Sequence, residues 1–188
     1  SLNPADAGKL AWEVGRNLRQ AVDLGQGRIL LASRSDSTLR GHFPYEVDAL
    51  VDGYGLKPDG VIFTPALLEA GRFTIGDIHW AEQGGQVVPV GETEFARDPM
   101  FSFKNSNLKL WVEEKTKGAV KAAEVVSVSL RNLREGGPDV VADILMSAAH
   151  GRPVIANAAA YADLDILALA VQAAEERGKI FVYRCSAS

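Results

Sequence analysis

The chain has 188 residues with a formal net charge of -4, and 47% of its residues are hydrophobic. This profile is typical of a soluble protein with one globular domain, large enough to bury a core without disulfides or a structural metal. The single cysteine, Cys185, excludes an intramolecular disulfide, and three scattered histidines do not form a zinc-binding pattern. No apolar run reaches the roughly 20 residues of a membrane span, and the chain start does not resemble a signal peptide. We therefore expect a cytoplasmic protein that binds neither membranes nor, since no basic face is evident, nucleic acids.

The first segment, residues 3–24, is predicted to be an amphipathic helix. Asn3 followed by Pro4 is typical of a helix start. The residues predicted to face the core at three- and four-residue spacing are Leu10, Val14, Leu18, Ala21 and Val22. After a turn at Gly25 and Gly27, residues 28–33 form a short apolar run that predicts a buried strand.

A polar loop, residues 33–42, separates this strand from a predicted helix over residues 44–55. The same order begins again with a strand over residues 61–66 and a polar turn over residues 67–77. Residues 79–99 contain paired glycines and predict a short hairpin or a pair of edge strands.

The second half continues the alternation of helices and strands. Helices are predicted at residues 106–118, 138–151 and 164–178, and strands at residues 122–130, 153–159 and 179–185. The first of these helices is expected to be capped by Ser106 or Asn107. The second is expected to face the core with Val140, Ile144 and Leu145. This order predicts an α/β fold with a parallel, Rossmann-like three-layer sheet and a small hairpin excursion. Because the chain begins on a helix and stops directly after a strand, we expect both ends to continue in a longer protein.

Two loops are the first candidates for a binding site, because ligands of parallel sheets bind beyond the carboxyl ends of the strands. The first loop contains Arg34, Asp36, Ser37, Thr38, Arg40 and His42, and the second contains Glu69, Gly71, Arg72 and Thr74. Arg40 and Arg72 are expected to converge from neighbouring strand ends, where a pair of guanidinium groups can clamp a carboxylate or phosphate.

Each feature also has a structural interpretation. Residues 36–38 fit an Asx turn without a ligand, and the charged segment 92–99 fits a solvated edge or interface loop. The histidines and tryptophans fit structural roles, and Cys185 has no base nearby in sequence, so we expect it to be inert. The chain lacks the glycine-rich dinucleotide and P-loop motifs and the G-x-S-x-G nucleophile turn.

Three motifs in order resemble the four-carbon acid sugar kinase family. They are Ser35-Asp36-Ser37-Thr38-Leu39-Arg40-Gly41, then Pro65-Ala66 with Gly71-Arg72-x-Thr74-x-Gly76, and then Glu92-Thr93-Glu94-Phe95-Ala96-Arg97-Asp98-Pro99. The resemblance runs over essentially the whole chain. Residues 67–70, Leu-Leu-Glu-Ala, depart from the proline and glycine that the family usually has there.

The resemblance implies an ATP-dependent kinase that phosphorylates the terminal hydroxyl of threonate, erythronate or a 3-oxo-tetronate type acid. Residues 1–188 correspond to most of its N-terminal sugar-acid-binding domain. The family's opening strand, with an Asp-Asp-x-Thr-Gly-Ala motif, and its C-terminal nucleotide-binding domain are not in this sequence. ATP and Mg²⁺ are expected to bind mainly to that second domain, the fragment alone is expected to be inactive, and a homodimer is compatible with this assignment.

Within that resemblance, each candidate residue has an expected role. Arg40 and Arg72 are assigned to the substrate carboxylate, because phosphoryl transfer depends on positioning and charge neutralisation. The remaining substrate-binding candidates are Ser35, Asp36 and Ser37 for the hydroxyl groups, with Gly71, Thr74 and His42 in the same pocket. Asp36 is also the candidate general base.

Two alternatives stay open at this point. The same pocket could serve a non-catalytic module that binds or senses a small acid. An aldolase or isomerase would need a buried lysine or a metal cluster, and Lys57 and Lys104 lie in polar stretches that we expect to be exposed.

Overall fold

A computed structural model describes residues 2–23 and 29–186 of the chain. Within these residues the α-helices are α1 (Pro4–Asp23), α2 (Tyr45–Tyr54), α3 (Leu108–Lys115), α4 (Gly137–Leu145) and α5 (Tyr161–Glu176). The strands of the same residues are β1 (Leu31–Arg34), β2 (Gly60–Thr64), β3 (Arg72–Ile75), β4 (Ile78–Gln83), β5 (Gln86–Pro89), β6 (Val126–Val128), β7 (Arg152–Ala156) and β8 (Phe181–Cys185). The predicted turn at Gly25 and Gly27 lies outside the described residues.

Five strands form a parallel sheet in the order β1-β8-β2-β7-β6, and β3, β4 and β5 form a separate antiparallel sheet. This arrangement confirms the predicted α/β class with its parallel sheet and small hairpin excursion. The last strand, β8, lies between β1 and β2. The loops that follow β1 and β2 are therefore not at neighbouring strands, as the sequence analysis expected, but on either side of β8.

Two apolar clusters cover the two faces of the parallel sheet and complete the three layers. On one face Phe63 of the sheet packs with Phe43 before α2 and with Trp111 of α3. On the other face, sheet residues such as Ile62 pack against α4 and α5, for example against Leu167. Because both faces are covered, the central strands β2 and β7 are almost entirely buried, as is usual for parallel sheets.

Helix α1 packs on α2 at unusually short range. A Cβ on Gly15 would lie 2.3 Å from the carbonyl oxygen of Leu50, and a Cβ on Gly53 would lie 2.1 Å from that of Trp12. The two glycines allow this close crossing because they lack a side chain. Asn3 caps α1 as predicted, since its Oδ1 accepts a hydrogen bond from the backbone N–H of Asp6 at 2.9 Å.

Several sequence-based predictions about these elements are wrong. The run 28–33 is not a buried strand throughout, since β1 begins at Leu31 and Leu30 is 60% exposed. Leu10 and Val14 of α1 are 52% and 44% exposed, because the helix contacts the core through a stripe centred on Ala7, Ala11 and Leu18. Val140 of α4 is also exposed. The segment 67–77 is not only a turn, since it includes β3 and adds a third strand to the predicted hairpin. None of the described helices combines the length and apolarity that crossing a membrane would require.

Candidate functional site

The loop after β1 is organised around the carboxylate of Asp36. Its Oδ2 accepts hydrogen bonds from the backbone N–H of Thr38 at 3.1 Å, from the Thr38 hydroxyl, and from Nε of Arg40 at 3.0 Å. Nη2 of Arg40 also donates to Oδ1 of Asp36 at 3.3 Å. The hydrogen bond from the Thr38 N–H forms the Asx turn predicted for residues 36–38. The Asp36 carboxylate therefore has a structural role in this loop.

Asp36 remains an anion at neutral pH. Burial raises the pKa of its carboxyl group, but the hydrogen bonds and charge of Arg40 and the hydrogen bonds of Thr38 outweigh burial and hold the pKa below its usual value. An ionised carboxylate accepts hydrogen bonds from hydroxyl groups. Asp36 is therefore able to orient a polyol or a sugar hydroxyl.

The same loop lines a polar cavity of about 380 Å³ at the carboxyl edge of the parallel sheet, which we call the loop cavity. Its lining residues are Arg34, Ser35, Asp36, Arg40, Gly41, Glu46 and Phe101. Such a cavity, with charged groups of both signs, suits a small polar anion. Two larger cavities with mainly apolar linings, of about 520 and 560 Å³, lie against α5 and against α2, and a third, of about 570 Å³, lies between α1 and α2.

Arg40 and Arg72 converge, although not through neighbouring strands. Their guanidinium carbons lie 5.2 Å and 5.7 Å from the centre of the Phe95 ring. Arg40 also lies 3.8 Å from the carboxylate of Asp98. Phe95 and Asp98 belong to the segment 92–99, whose short helical turns bury Thr93 and Ala96 and leave the side chains of Glu92, Glu94 and Arg97 exposed. The three sequence motifs therefore meet at one place.

Thr74 and His79 support the loop from the small sheet. Nε2 of His79 lies 2.7 Å from the carbonyl oxygen of Ser37, and its Nδ1 lies 2.9 Å from the Thr74 hydroxyl. A carbonyl only accepts, so Nε2 carries the proton and the Thr74 hydroxyl donates to Nδ1. Burial lowers the pKa of His79 to about 4, which keeps the ring neutral. The hydroxyl of Thr74 is thus occupied by His79, and the residue itself is buried.

The other predicted site residues make contacts mainly within the protein. Ser35 lines the loop cavity and its hydroxyl donates to the carbonyl of Cys185 at 3.3 Å. Ser37 offers its carbonyl to His79, and Gly71 adopts a positive φ of 66° against the side chain of Glu82. His42 is buried, with its Nε2 2.8 Å from the carbonyl oxygen of Leu2.

Sequence reasoning did not select three residues that the structure places at this site: Glu46, Phe101 and Arg184. Glu46 lies in the first turn of α2, directly after the loop, and Phe101 follows the third motif. Arg184 is buried at the end of β8. A signal for Arg184 was present, since it is a charged residue inside an apolar strand pattern.

Residues 2–23 and 29–186 contain no group of three or more histidine, cysteine, aspartate or glutamate side chains that could hold a metal ion. The sequence contains neither the glycine-rich dinucleotide motif nor the P-loop motif. The hydrogen-bonding groups around Asp36 suit an organic acid with hydroxyl groups.

The whole chain, residues 1–188, matches the protein family described as sugar-binding N-terminal domain. A D-erythronate kinase from Heliobacterium modesticaldum is 29% identical over 147 residues, which is 77% of this chain and 31% of that relative. The chain therefore spans less than a third of the length of this curated relative.

Solved structures show the same fold. A domain of unknown function from Bordetella bronchiseptica, crystallised with bound citrate as a domain-swapped dimer, superposes with a TM-score of 0.70 at 26% identity. The match covers 98% of this chain and 39% of that one. A Haemophilus influenzae protein superposes with a TM-score of 0.68 at 19% identity, over 95% of this chain and 40% of that one, which shows the fold alone.

Proposed function

Because the chain belongs to the family of sugar-binding N-terminal domains, we propose that it is the acid-binding part of an ATP-dependent kinase that phosphorylates the terminal hydroxyl of a four-carbon sugar acid. The relative named D-erythronate kinase supports the substrate class, and the resemblance in the three motifs supports the same family. Residues 1–188 would form most of the N-terminal domain, and nucleotide and Mg²⁺ would bind elsewhere in the longer protein.

The observation that carries this proposal is that Asp36 and Arg40 line the loop cavity and that Arg72 lies against the same Phe95 ring as Arg40. The two guanidinium groups supply positive charge for a carboxylate, and Asp36 supplies an acceptor for hydroxyl groups. A four-carbon acid has both groups at opposite ends of a short chain. The arrangement would therefore fix its orientation.

The residues of this chain act in the proposed reaction by binding and orientation. Arg40 and Arg72 would hold the carboxylate, while Ser35, Ser37 and Asp36 would contact the hydroxyl groups. Asp36, as an ionised carboxylate, would accept the proton of the attacking hydroxyl. Thr74, Gly71 and His42 would keep the loop in place rather than touch the acid, given their contacts described above.

The thermal midpoint of the 188-residue chain tests the acid-binding function directly. Threonate, D-erythronate and 3-oxo-tetronate are compared, each with and without Mg-ATP. An acid present at about 100 times its dissociation constant adds roughly 2.7 kcal/mol to the unfolding free energy, which raises the midpoint visibly. We expect a shift with at least one acid and none with Mg-ATP alone.

Two variants and a matched control connect this shift to the site. Arg40→Ala and Arg72→Ala should each abolish the acid-dependent shift. Arg131→Ala removes an arginine whose side chain is 83% exposed in a surface ion pair, and it should leave the shift unchanged. No shift with any of the three acids would contradict the proposed function.

A non-catalytic acid-binding module is the second candidate, because the loop cavity alone is sufficient for it. The two candidates differ in the behaviour of the longer protein. A kinase transfers phosphate from ATP to the bound acid, whereas a sensor binds the acid and leaves ATP intact. The domain-swapped dimer of the Bordetella relative also supports a homodimer here, which light scattering of the purified protein would test.

A further inference from the structure

Arg184 is a buried cation in the middle of the parallel sheet. It lies near the carboxyl end of β8, paired with Ser33 on one side and with Phe63 on the other, and it is 1% exposed. Its guanidinium carbon lies 5.2 to 5.5 Å from the ring centres of Phe43, Phe63 and Trp111. Arginine is rarely buried to this extent without a charged partner.

The terminal nitrogens of Arg184 have no such partner. Neither Nη1 nor Nη2 makes a hydrogen bond to any residue that the structure describes. Aromatic faces attract the charge but do not replace the hydrogen bonds that water would make. Burial lowers the pKa of Arg184 to about 10, so the group is still a cation at neutral pH. The site thus lacks an acceptor for four N–H groups of a buried cation.

The nearest carboxylates do not fill this role. Glu46 and Asp36 act on Arg184 through space, but neither accepts a hydrogen bond from its terminal nitrogens. Asp36 is already bonded to Arg40 and Thr38. Arg40 already pairs with Asp36 and Asp98, whereas both terminal nitrogens of Arg184 are buried without an acceptor among the described residues.

Gly41 lies beside this guanidinium and also lines the loop cavity. A Cβ on Gly41 would lie 3.3 Å from Nη2 of Arg184 and 3.4 Å from Oε2 of Glu46. Since glycine carries no side chain, that point beside Nη2 is left unfilled. Gly41 also adopts a φ of 132°, which disfavours any other residue.

We propose that Arg184 is a further substrate-binding residue, whose terminal nitrogens donate to the carboxylate of the small acid at the floor of the loop cavity beside Gly41. The inference rests on the proposed function, in which the ligand is a four-carbon sugar acid. Arg40 and Arg72 would hold the same carboxylate from the side of Phe95. A carboxylate has room for these donors because its two oxygens accept about four hydrogen bonds.

The test compares binding of an acid with binding of its uncharged form. D-erythronate and D-erythronolactone are titrated into the 188-residue chain by calorimetry, with Arg184→Met, Arg184→Lys and the surface control Arg131→Met. The wild type and the control should prefer the acid. Arg184→Met should weaken acid binding by about tenfold or more, as expected for a lost hydrogen bond to a charged group, and leave lactone binding unchanged. Arg184→Lys should retain part of the preference.

The same titrations separate this inference from the proposed function. If D-erythronate binds and Arg184→Met keeps the full preference for the acid, the role of Arg184 is overturned and the proposed function stands. If no four-carbon acid binds but citrate binds in an Arg184-dependent manner, the proposed function fails and the anion site at Arg184 stands. If neither acid binds the wild type, both are overturned.

A measurement on the unmodified chain covers the case in which the Arg184 variants do not fold. The guanidinium signals of Arg184 in a ¹⁵N-arginine-labelled sample are assigned through their nuclear Overhauser contacts with the rings of Trp111 and Phe43. They should shift on titration with D-erythronate and remain in place with the lactone. Signals that do not respond to a bound acid would overturn the inference.

Discussion

The imidazole Nε2 of His79 lies 2.7 Å from the carbonyl oxygen of Ser37, and this hydrogen bond fastens the three-stranded sheet to the loop after β1. His79 is completely buried and its other nitrogen is held by Thr74. The loop that carries Asp36 and Arg40 is therefore held in position by a hydrogen bond from a neutral histidine. This support makes the stability of the loop sensitive to acid.

The first prediction is a loss of stability between about pH 6.5 and pH 4. The pKa of His79 is lowered from 6.5 to about 4 in the folded chain, so the unfolded chain binds the proton more tightly in this window. Stability is therefore fully present above pH 6.5 and falls as the pH decreases to about 4, by on the order of 3 kcal/mol. Urea unfolding followed by circular dichroism at a series of pH values measures this.

His79→Gln provides the comparison, because its side-chain amide can still donate to the Ser37 carbonyl but does not titrate. Its unfolding free energy should be lower at pH 7 and should change less between pH 6.5 and pH 4. His150→Gln changes an exposed histidine and should follow the wild type. Equal pH dependence in His79→Gln and the wild type would contradict the assignment.

The second prediction concerns Phe95, whose ring faces the guanidinium groups of Arg40 and Arg72. Phe95→Leu keeps an apolar side chain but removes the aromatic face. We expect the unfolding free energy to fall by about 1 to 2 kcal/mol, since each cation–ring contact contributes about 0.5 to 1 kcal/mol. Binding of D-erythronate, measured by calorimetry, should also weaken, because both arginines lose the surface that positions them.

Phe181→Leu is the control for this variant, since Phe181 is buried in the other apolar cluster, on the opposite face of the parallel sheet. It should reduce stability without changing the affinity for the acid. An unchanged affinity in Phe95→Leu would show that the ring does not position the two arginines.

The third prediction concerns the close crossing of α1 and α2. Gly15→Ala places a Cβ 2.3 Å from the carbonyl oxygen of Leu50, so the helices must move apart. We expect a loss of about 1 to 3 kcal/mol in unfolding free energy, as for other overpacked cores. Gly8→Ala in the same helix meets nothing within 4 Å and should stabilise the chain by about 0.5 to 1 kcal/mol. Denaturant titration of both variants measures the difference, and equal effects would contradict the crossing geometry.

The fourth prediction concerns Asp163, a buried carboxylate at the start of α5. It accepts two hydrogen bonds from Arg134 at 2.8 Å and two from the backbone N–H groups of Ala159 and Ala160 at 2.9 and 3.0 Å. The hydrogen bonds from Arg134 lower the pKa of Asp163 and outweigh the effect of burial. The stability that depends on this carboxylate is therefore present above the unfolded pKa and is lost as the pH falls through the lower folded pKa.

Asp163→Ala should reduce the unfolding free energy at pH 7 by about 2 kcal/mol, since a helix cap and a bidentate ion pair are both lost. Arg134→Ala removes a partner whose side chain is 53% exposed and should cost less, because the backbone bonds to Asp163 remain. Thermal unfolding of the two variants measures the order, and a larger loss in Arg134→Ala would contradict it.

Local patterns were sufficient to predict most elements of this fold. The apolar runs at 61–66 and 153–159 and the periodic helix at 164–178 were found because burial on a sheet or along one helix face leaves a repeat in the sequence. The choice of the inward face of α1 was wrong, since Leu10 and Val14 are larger than Ala7 and Ala11 but the close packing on α2 favours small residues.

The sequence predicted several residues of the candidate site but not how they are arranged in space. Polar residues directly after apolar strands identified Asp36, Arg40 and Arg72, because a loop that binds an anion must carry charge where a core strand ends. Their convergence through Phe95, the support from His79 and the burial of Arg184 depend on contacts between segments far apart in the chain. No local pattern records such contacts.

The sequence by itself determined the class of the protein: an α/β chain whose three motifs resemble a sugar-acid kinase family and whose polar loops follow buried strands. Only the tertiary structure decided that β8 lies between β1 and β2 and that three distant motifs meet beside one cavity. The physical reason is that hydrophobic periodicity reports which face of an element is buried, whereas strand order and side-chain convergence follow from the packing of all elements together.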